Sequence, residues 1–333
     1  MQPTVERYGS GHINETYLVT CPEGPRYILQ KINTAIFPNV DALMENIARV
    51  TAHIRTKHPG DDRCTLTVLD YGCPWRQYAF IPGAHTIDVI TQPEQAYKAA
   101  KAFARFQNDV ADLPGPRLNE ILPRFHDTRN RLALLDAACA ADVKGRRKDV
   151  AAELAFVDAH RDEAGRILDL MTAGAIPERI THNDTKINNV MLDDVTGEGV
   201  AVIDLDTVMP GCALYDFGDM VRTATAAAAE DEKDLSKVFS RREYFEQLVR
   251  GYLSEAKFLN EAERANLAFA GRLITFTIGV RFLTDYLAGD TYFHTAYAEH
   301  NLVRCRTQFK MVQSMEDQAE VYEAIVCAVS ASV

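Results

Sequence analysis

The densest group of chemically competent side chains lies in residues 181–189, which read THNDTKINN. Asp184 is followed two residues later by Lys186 and five residues later by Asn189. An aspartate can orient an attacking hydroxyl, a lysine can neutralise a transferring phosphate, and an asparagine oxygen can bind a metal ion. The spacing of these three residue types predicts the transfer of a phosphoryl group.

A second acidic group follows at residues 202–206, which read VIDLD. Period-two alternation in a strand places Asp204 and Asp206 on one face, and Asp204 close to the preceding loop. Carboxylate and amide oxygens are the ligands that Mg²⁺ prefers, so Asn189 and Asp204 are the predicted metal ligands. The spacing from His182 to Asn189 also matches the H-x-D-x-x-x-x-N pattern of kinase catalytic loops. Asp206 is a further acid whose charge beside Asp204 requires a cation.

The triplet Asp216-Phe217-Gly218 has the same letters as the metal-binding motif of protein kinases. It lies well after the acidic strand and leads into a predicted helix. We therefore expect Asp204, and not Asp216, to be the metal ligand.

A possible phosphate-binding turn lies near the amino end, at residues 9–14, GSGHIN. Gly9 and Gly11 would let backbone amides approach the phosphates of a nucleotide. A hairpin turn favours the same residues, so the phosphate-binding interpretation depends on the catalytic loop that follows in the sequence.

The cation that kinases place on a strand beside the phosphates has two candidates. Lys31 could bind phosphate and pair with Glu45 of the following helix. A shift of one residue in the strand would instead turn Gln30 inward and leave Lys31 in solvent. The sequence slightly favours Lys31.

The order of predicted elements indicates an α+β fold with two lobes. Short β-type runs dominate before residue 83, at residues 15–21, 26–32, 64–70 and 75–81, with one helix that opens near residue 38. Helical patterns follow, at residues 93–109, 124–141, 148–173, 244–256 and 261–287, with a final helix from about residue 296. One hairpin, residues 189–205, interrupts them. We expect a small β-rich nucleotide-binding lobe at residues 1–83 and a larger helical lobe at residues 84–333, with ligands in the cleft between them.

Composition excludes several classes of protein. The 333 residues carry a net charge of −11, which disfavours nucleic acid and anionic membranes as partners. The longest apolar stretch, residues 267–283, contains two arginines, and the opening residues have no apolar signal core. The seven cysteines form no CxxC pair. We therefore expect a cytoplasmic protein with reduced thiols.

Several segments together resemble the aminoglycoside phosphotransferase family of small-molecule kinases, and within it the N-acetylhexosamine 1-kinases. These segments are YGSGHINETYLV, YILQKINTAIFPN, MENI, HNDTKINNVMLD, VIDLDTVMPG, GVRFLTDYLAGDTYF and RTQFK, and they cover nearly the full chain. The resemblance implies a bilobal protein-kinase-like fold that binds Mg²⁺ and ATP.

The resemblance also implies roles for single residues. Asp184 would be the catalytic base, Lys186 would contact the γ-phosphate, and His182 would brace the loop. Asn189 and Asp204 would bind Mg²⁺. The positions that line the sugar pocket would be His12, Thr207, Arg281 and Tyr292.

Each sugar-pocket residue also has a plainer interpretation. His12 would be an exposed turn residue and Thr207 a turn cap. Arg281 would pair with Asp285 one helical turn later, and Tyr292 would be a core aromatic.

The implied activity is phosphorylation by ATP of the anomeric hydroxyl of an N-acetylhexosamine, which yields a sugar 1-phosphate. The alternatives are a kinase of the same fold for another hexose, an aminoglycoside, choline or homoserine, and a silent nucleotide-binding protein. The presence of Asp184, Asn189 and Asp204 disfavours the silent protein.

Overall fold

The computed structural model describes residues 2–9, 11, 13–22 and 24–332. Its amino-terminal part is an antiparallel sheet of five strands in the order β1-β2-β3-β5-β4. The strands are β1 (Thr4–Arg7), β2 (Glu15–Thr20), β3 (Arg26–Lys31), β4 (Val68–Gly72) and β5 (Trp75–Ala79).

One helix, α1 (Val40–Lys57), accompanies this sheet. The Asn39 side chain caps it by accepting a hydrogen bond from the backbone N–H of Ala42 at 3.1 Å. The apolar stripe predicted for this helix is buried and consists of Leu43, Ile47, Val50 and Ile54. These residues belong to the same continuous core as the carboxy-terminal helices, so α1 joins the two parts of the molecule.

The carboxy-terminal part is mostly helical and contains two small antiparallel sheets, β6-β8-β9 and β7-β10. Its strands are β6 (Ala84–His85), β7 (Arg179–Thr181), β8 (Val190–Asp193), β9 (Gly199–Val202) and β10 (Met209–Gly211). Its helices are α2 (Pro93–Val110), α3 (Thr128–Ala141), α4 (Ala151–His160), α5 (Arg166–Thr172), α6 (Ala213–Ala224), α7 (Arg242–Glu255), α8 (Glu261–Arg264), α9 (Leu267–Ala288), α10 (His300–Glu316) and α11 (Ala319–Ser330).

Helix α9 is the central helix of this part. Among the described residues it is the one helix long and apolar enough to cross a membrane, and 78% of its most apolar stretch is buried inside the protein. It packs against α3, α6 and α10. A helix that is apolar on all sides and covered by neighbours is typical of a protein core.

The predicted fold class is confirmed: an antiparallel β-rich amino-terminal part precedes a mostly helical part. The structure differs in detail from the predicted elements. The helix expected over residues 148–173 is two helices, α4 and α5, because the chain turns at residues 161–165 and the guanidinium of Arg129 packs over Gly165. The sheet β7-β10 was not predicted, because its strands have three residues each.

The connection between the two parts follows β5. The amino-terminal sheet ends at Ala79, and the next strand, β6, pairs with β8 of the helical part. The lobe boundary expected between residues 83 and 84 falls in this connection and stays a prediction.

The contact between α2 and α7 generates a test of the core. A methyl group at Gly251 of α7 would overlap the backbone carbonyl of Tyr97 in α2, and backbone cannot rotate away as a side chain can. We expect Gly251→Ala to lower the free energy of unfolding by about 3 kcal/mol, measured by urea denaturation. Gly72→Ala is the matched control, because open space surrounds that glycine. Equal losses in the two variants would contradict the close packing.

Candidate active site

One carboxylate holds the loop that joins β7 to β8, residues 182–189. Asp216 of α6 accepts hydrogen bonds from the backbone N–H groups of His182 at 2.8 Å and Asn183 at 2.7 Å. It also accepts one from the Gln107 side chain at 2.6 Å. Burial raises the pKa of Asp216 to about 6, against the opposing effect of these donors. Both carboxylate oxygens thus accept hydrogen bonds from the protein itself, and the choice of Asp204 over Asp216 as the metal ligand stays a prediction.

His182 braces the same loop from inside. Its Nε2 donates to the carbonyl of Ile203 at 2.9 Å, and its Nδ1 accepts from the backbone N–H of Asp184 at 3.3 Å. Only a neutral imidazole with its proton on Nε2 can make both bonds. The ring is fully buried and meets the edge of Phe103. His182 therefore fixes the backbone at Asp184.

The catalytic candidates Asp184 and Lys186 form an ion pair. The Lys186 Nζ lies 2.9 Å from one carboxylate oxygen of Asp184 and 3.2 Å from the other. Burial alone would raise the pKa of Asp184, but the Lys186 ammonium outweighs burial and lowers it. Asp184 in turn raises the pKa of Lys186. The pair is thus charged at neutral pH, and both side chains remain partly exposed.

The two predicted metal ligands lie beside this pair. Asn189 donates from Nδ2 to the backbone carbonyl of Asp184 at 2.8 Å, which leaves its Oδ1 as the atom that can bind a cation. Asp204 is exposed to solvent, yet the crowding of protein around its carboxylate, together with Asp206 and Asp184, raises its pKa to about 7. Clustered carboxylates with an amide oxygen fit Mg²⁺, because a divalent cation would relieve this repulsion.

The backbone at Asp204 corrects one part of the sequence analysis. Strand β9 ends at Val202, so the alternation expected to place Asp204 and Asp206 on one face does not continue to them. Asp204 has a left-handed conformation, with φ of 58°, and starts a short 3₁₀ turn over residues 205–207. This turn directs Asp206 into the protein and leaves Asp204 outside.

Asp206 binds a cation that the sequence analysis missed. Arg76 of β5 is 1% exposed, and its Nη1 and Nη2 lie 2.6 and 2.9 Å from the two carboxylate oxygens of Asp206. Asn14 donates to the same carboxylate at 2.7 Å. The requirement of Asp206 for a cation was the available signal, but nothing in the sequence pointed to β5.

The structure does not bring Lys31 and Glu45 together. The Lys31 Nζ lies 3.0 Å from Glu15, its partner across the sheet, and is exposed. Glu45 is exposed and accepts from Asn119 at 3.0 Å. The one-residue alternative is the arrangement found, because Gln30 points inward and its Oε1 accepts from Arg76 Nε at 3.0 Å. The slight preference for Lys31 is therefore corrected.

The glycine turn joins β1 to β2. Gly9 has a φ of 77°, which favours glycine, and open space surrounds the α-carbons of both Gly9 and Gly11. This geometry leaves room for a phosphate group to approach the backbone. His12 lies outside the described residues.

Arg281 and Tyr292 lie together. The Arg281 Nη2 is 3.5 Å from the Tyr292 hydroxyl, and the guanidinium faces the rings of Phe125 and Phe293 at 5.1 and 5.4 Å. Burial lowers the pKa of Arg281, and the charge of Asp184 opposes this effect. Tyr292 is 57% exposed, so it is not a core aromatic.

Asp285 and Thr207 make contacts that differ from those expected. Asp285 does not pair with Arg281, because it accepts hydrogen bonds from three successive backbone N–H groups, those of residues 291–293. The Thr207 hydroxyl donates to the carbonyl of His182 at 2.6 Å, so its proton braces the catalytic loop. The Thr207 oxygen can still accept a hydrogen bond.

A second cluster of possible metal ligands lies away from this site and consists of His160, Glu163 and Glu316. Arg272 donates to Glu163 at 2.6 Å and lies 3.5 Å from Glu316. His160 Nε2 is 2.9 Å from Glu316. A guanidinium thus already neutralises these acids, which makes the cluster an ion-pair network.

His126 generates a pH prediction. It is buried beneath the loop and its pKa falls to about 4, because burial disfavours the imidazolium. As pH falls, His126 is therefore protonated in the unfolded chain before it is protonated in the folded protein. The folded protein loses stability as pH falls from about 6.5 toward 4. The free energy of unfolding of the wild type relative to His126→Gln should fall by about 2 kcal/mol between pH 7 and pH 5, measured by urea denaturation.

A second substitution at the same position, His126→Asn, supplies the control for this measurement. The wild type relative to His126→Asn should show the same change between the two pH values, because the change belongs to the wild-type imidazole. If the difference between wild type and His126→Gln is the same at both pH values, His126 titrates normally in the folded protein.

Comparisons with known proteins identify the family of this chain. The model of the phosphotransferase enzyme family (APH) matches residues 4–262. The fold is similar to that of a choline kinase from Cryptosporidium parvum, with a TM-score of 0.60 and 14% identity over 98% of this chain and 92% of that one. The choline kinase LicA from Streptococcus pneumoniae gives a TM-score of 0.56 and 13% identity over 94% of this chain and 93% of that one.

A third similar structure is the aminoglycoside phosphotransferase APH(2'')-Ib with ADP bound, at a TM-score of 0.55 and 12% identity over 94% of each chain. Identities this low establish the fold, whereas the family match covers most of the chain. The predicted enzyme class is thereby confirmed. This protein belongs to the phosphotransferase enzyme family, as a small-molecule kinase with the fold of the choline and aminoglycoside kinases.

Proposed function

We propose that the protein transfers the γ-phosphoryl group of ATP to the anomeric hydroxyl of an N-acetylhexosamine, with Mg²⁺ held by Asn189 and Asp204. The observation that carries the reaction class is the Asp184–Lys186 pair at 2.9 Å on a loop whose backbone is fixed by Asp216. The sugar acceptor is supported by the resemblance of the sequence and by the charges of Arg281 and Arg131.

Two guanidinium groups lie close together in the part of the site proposed for the acceptor. Arg281 has no carboxylate partner among the described residues. Arg131 lies near it and bonds to the backbone carbonyl of Phe125 at 2.7 Å. Burial and the Arg281 charge lower the pKa of Arg131 to about 10, which still leaves it charged at neutral pH. A cationic acceptor such as choline would be repelled here, whereas a carbonyl oxygen would find hydrogen-bond donors.

Nucleotide phosphates would approach the open turn at Gly9 and Gly11. The adenine would lie against the backbone of residues 79–83, between the two lobes. Magnesium, when bound, neutralises charge on the phosphate oxygens.

In the reaction, the Asp184 carboxylate accepts a hydrogen bond from the anomeric hydroxyl and directs its oxygen toward the γ-phosphorus. A bond forms between that oxygen and phosphorus, and the bond from phosphorus to the β,γ-bridging oxygen breaks. The hydroxyl proton passes to Asp184 and then to solvent, and Lys186 neutralises charge on the transferring group. The products are a sugar 1-phosphate and ADP.

The role of Asp184 can be tested by Asp184→Asn, which retains the side-chain shape and removes the charge. We expect turnover to fall by roughly 10³-fold or more, because the acceptor hydroxyl loses its base, while ATP still binds. Coupled ADP release measures turnover, and calorimetric titration measures ATP binding. Asp62→Asn, at an exposed aspartate, is the control and should retain activity. Normal turnover by Asp184→Asn would exclude this mechanism.

The acceptor is tested with a panel at fixed Mg·ATP: N-acetylglucosamine, N-acetylgalactosamine, galactose, glucose, kanamycin, choline and homoserine. We expect kcat/KM for an N-acetylhexosamine to exceed that for choline or kanamycin by roughly 100-fold, because a like charge opposes binding of a cation. Phosphorus NMR should identify a 1-phosphate product. Faster turnover of a cationic acceptor would instead favour a choline or aminoglycoside kinase.

A further inference from the structure

A buried carboxylate beside the catalytic pair has one oxygen without a partner. Asp219 lies on α6, three residues after Asp216, so both acids share the face of the helix that meets the catalytic loop. Asp219 is 3% exposed. Its Oδ1 accepts from Arg222 Nε at 2.8 Å, whereas its Oδ2 has no hydrogen-bond donor among the described residues. A buried carboxylate oxygen without a donor is costly and calls for a ligand.

The helix places Asp219 close to the catalytic loop. Asp216, one turn earlier on the same face of α6, accepts hydrogen bonds from the backbone N–H groups of His182 and Asn183, the residues that precede Asp184. The charge of Asp219 also raises the pKa of Lys186, after the larger effect of Asp184. Arg222 donates from Nη1 to the half-exposed Glu230 at 3.0 Å, on the side of the guanidinium away from Asp219 Oδ1, which binds Nε.

His126 supplies a second acceptor without a partner. Its Nε2 donates to the backbone carbonyl of Asn183 at 3.0 Å, so its Nδ1 carries a lone pair. The ring packs against Phe125 and Tyr215, and Nδ1 is buried with no donor among the described residues. Tyr215 and Asp219 lie one turn apart on α6, so the ring of His126, centred 5.4 Å from that of Tyr215, lies against the face of the helix that carries Asp219.

Two buried acceptors thus lie against one face of α6, and neither has a donor in the part of the chain that the structure describes. The nearby guanidinium of Arg222 is already occupied by Asp219 and Glu230. A neutral compound with several hydroxyl groups supplies donors without adding positive charge beside Arg281. Cationic acceptors also carry donors, but the guanidinium of Arg281, which contacts Tyr292 and no described carboxylate, opposes them.

We propose that Asp219 Oδ2 and His126 Nδ1 bind non-reacting hydroxyl groups of a neutral polyhydroxylated acceptor, and that Asp219 is a specificity-determining residue of this kinase. The inference rests on the proposed function and deepens it, because these bonds select which hydroxyl of the acceptor reaches Asp184. A site built to bind a hydroxyl rejects an analogue that lacks it far more strongly than an apolar pocket rejects a missing methylene group.

The test uses Asp219→Asn and a series of acceptors that each lack one hydroxyl. The best acceptor of the panel is compared with its monodeoxy analogues by coupled ADP release. We expect the wild type to lose roughly 100-fold in kcat/KM for one analogue, because its missing hydroxyl leaves the buried carboxylate unpaired. Asp219→Asn should lose a similar factor on the parent acceptor and discriminate less than tenfold between the two.

Two controls separate acceptor binding from a structural effect. Glu230→Gln removes the other carboxylate that binds Arg222 and leaves Asp219 in place, so it should retain the discrimination between acceptors. The KM for ATP should stay within about twofold of the wild type in both variants, because the nucleotide site proposed above lies at the turn of Gly9 and Gly11 and includes neither residue. Thermal unfolding verifies that each variant is folded.

The possible outcomes are distinct. If wild-type kcat/KM falls less than tenfold for every monodeoxy analogue, the inference is overturned, whether or not Asp219→Asn folds. If Asp219→Asn lowers kcat equally for all acceptors and keeps the discrimination, Asp219 only positions Lys186 and the inference is also overturned. If the wild type turns over no hydroxylated acceptor at all, the proposed function fails and this inference fails with it.

Discussion

The active site depends on the hydrogen bonds that one buried carboxylate accepts. Asp216 accepts from two consecutive backbone N–H groups, those of His182 and Asn183, and its backbone carbonyl accepts from the Thr185 hydroxyl at 2.6 Å. The loop therefore approaches Asp184 with its backbone fixed on a helix of the core. Catalysis by orientation requires this fixation, because a small displacement of a catalytic group costs much of the rate.

The second constraint links the amino-terminal sheet to the helical part. Arg76 belongs to the amino-terminal sheet and Asp206 to the turn that carries the metal ligand Asp204 proposed above, and both are buried. Asp206 thus has its own cation within the protein, whereas Asp204 is exposed and forms no ion pair with any lysine or arginine in the described part of the chain. Two neighbouring acids of the same turn are in this way divided between a structural and a ligand-binding role.

The sequence predicts the fold class well because it depends on local patterns, and the change from β-type to helical periodicity is strong. The candidate catalytic residues lie close together in the sequence, so their proximity in space could be expected, while their roles stay a prediction. Arg76 could not be predicted, because its pair with Asp206 spans 130 residues and depends on the register of β5. The predicted inward orientation of Lys31 was wrong for a related reason. A shift of one residue turns a strand residue to the opposite face, and the pairing of Lys31 with Glu15 across the sheet sets the face that Lys31 occupies.

The pair between Arg76 and Asp206 also constrains how the molecule can move. Separating these side chains would leave a buried charge without a partner, at a cost of about 3–5 kcal/mol. If the five-stranded sheet moves relative to the helical part, a movement that preserves the pair would be a rotation about it. Such a rotation would displace the distant edges of the sheet most and the turn that carries Asp204 least. A nucleotide bound as proposed could then enter and leave while the proposed metal ligand stays in place.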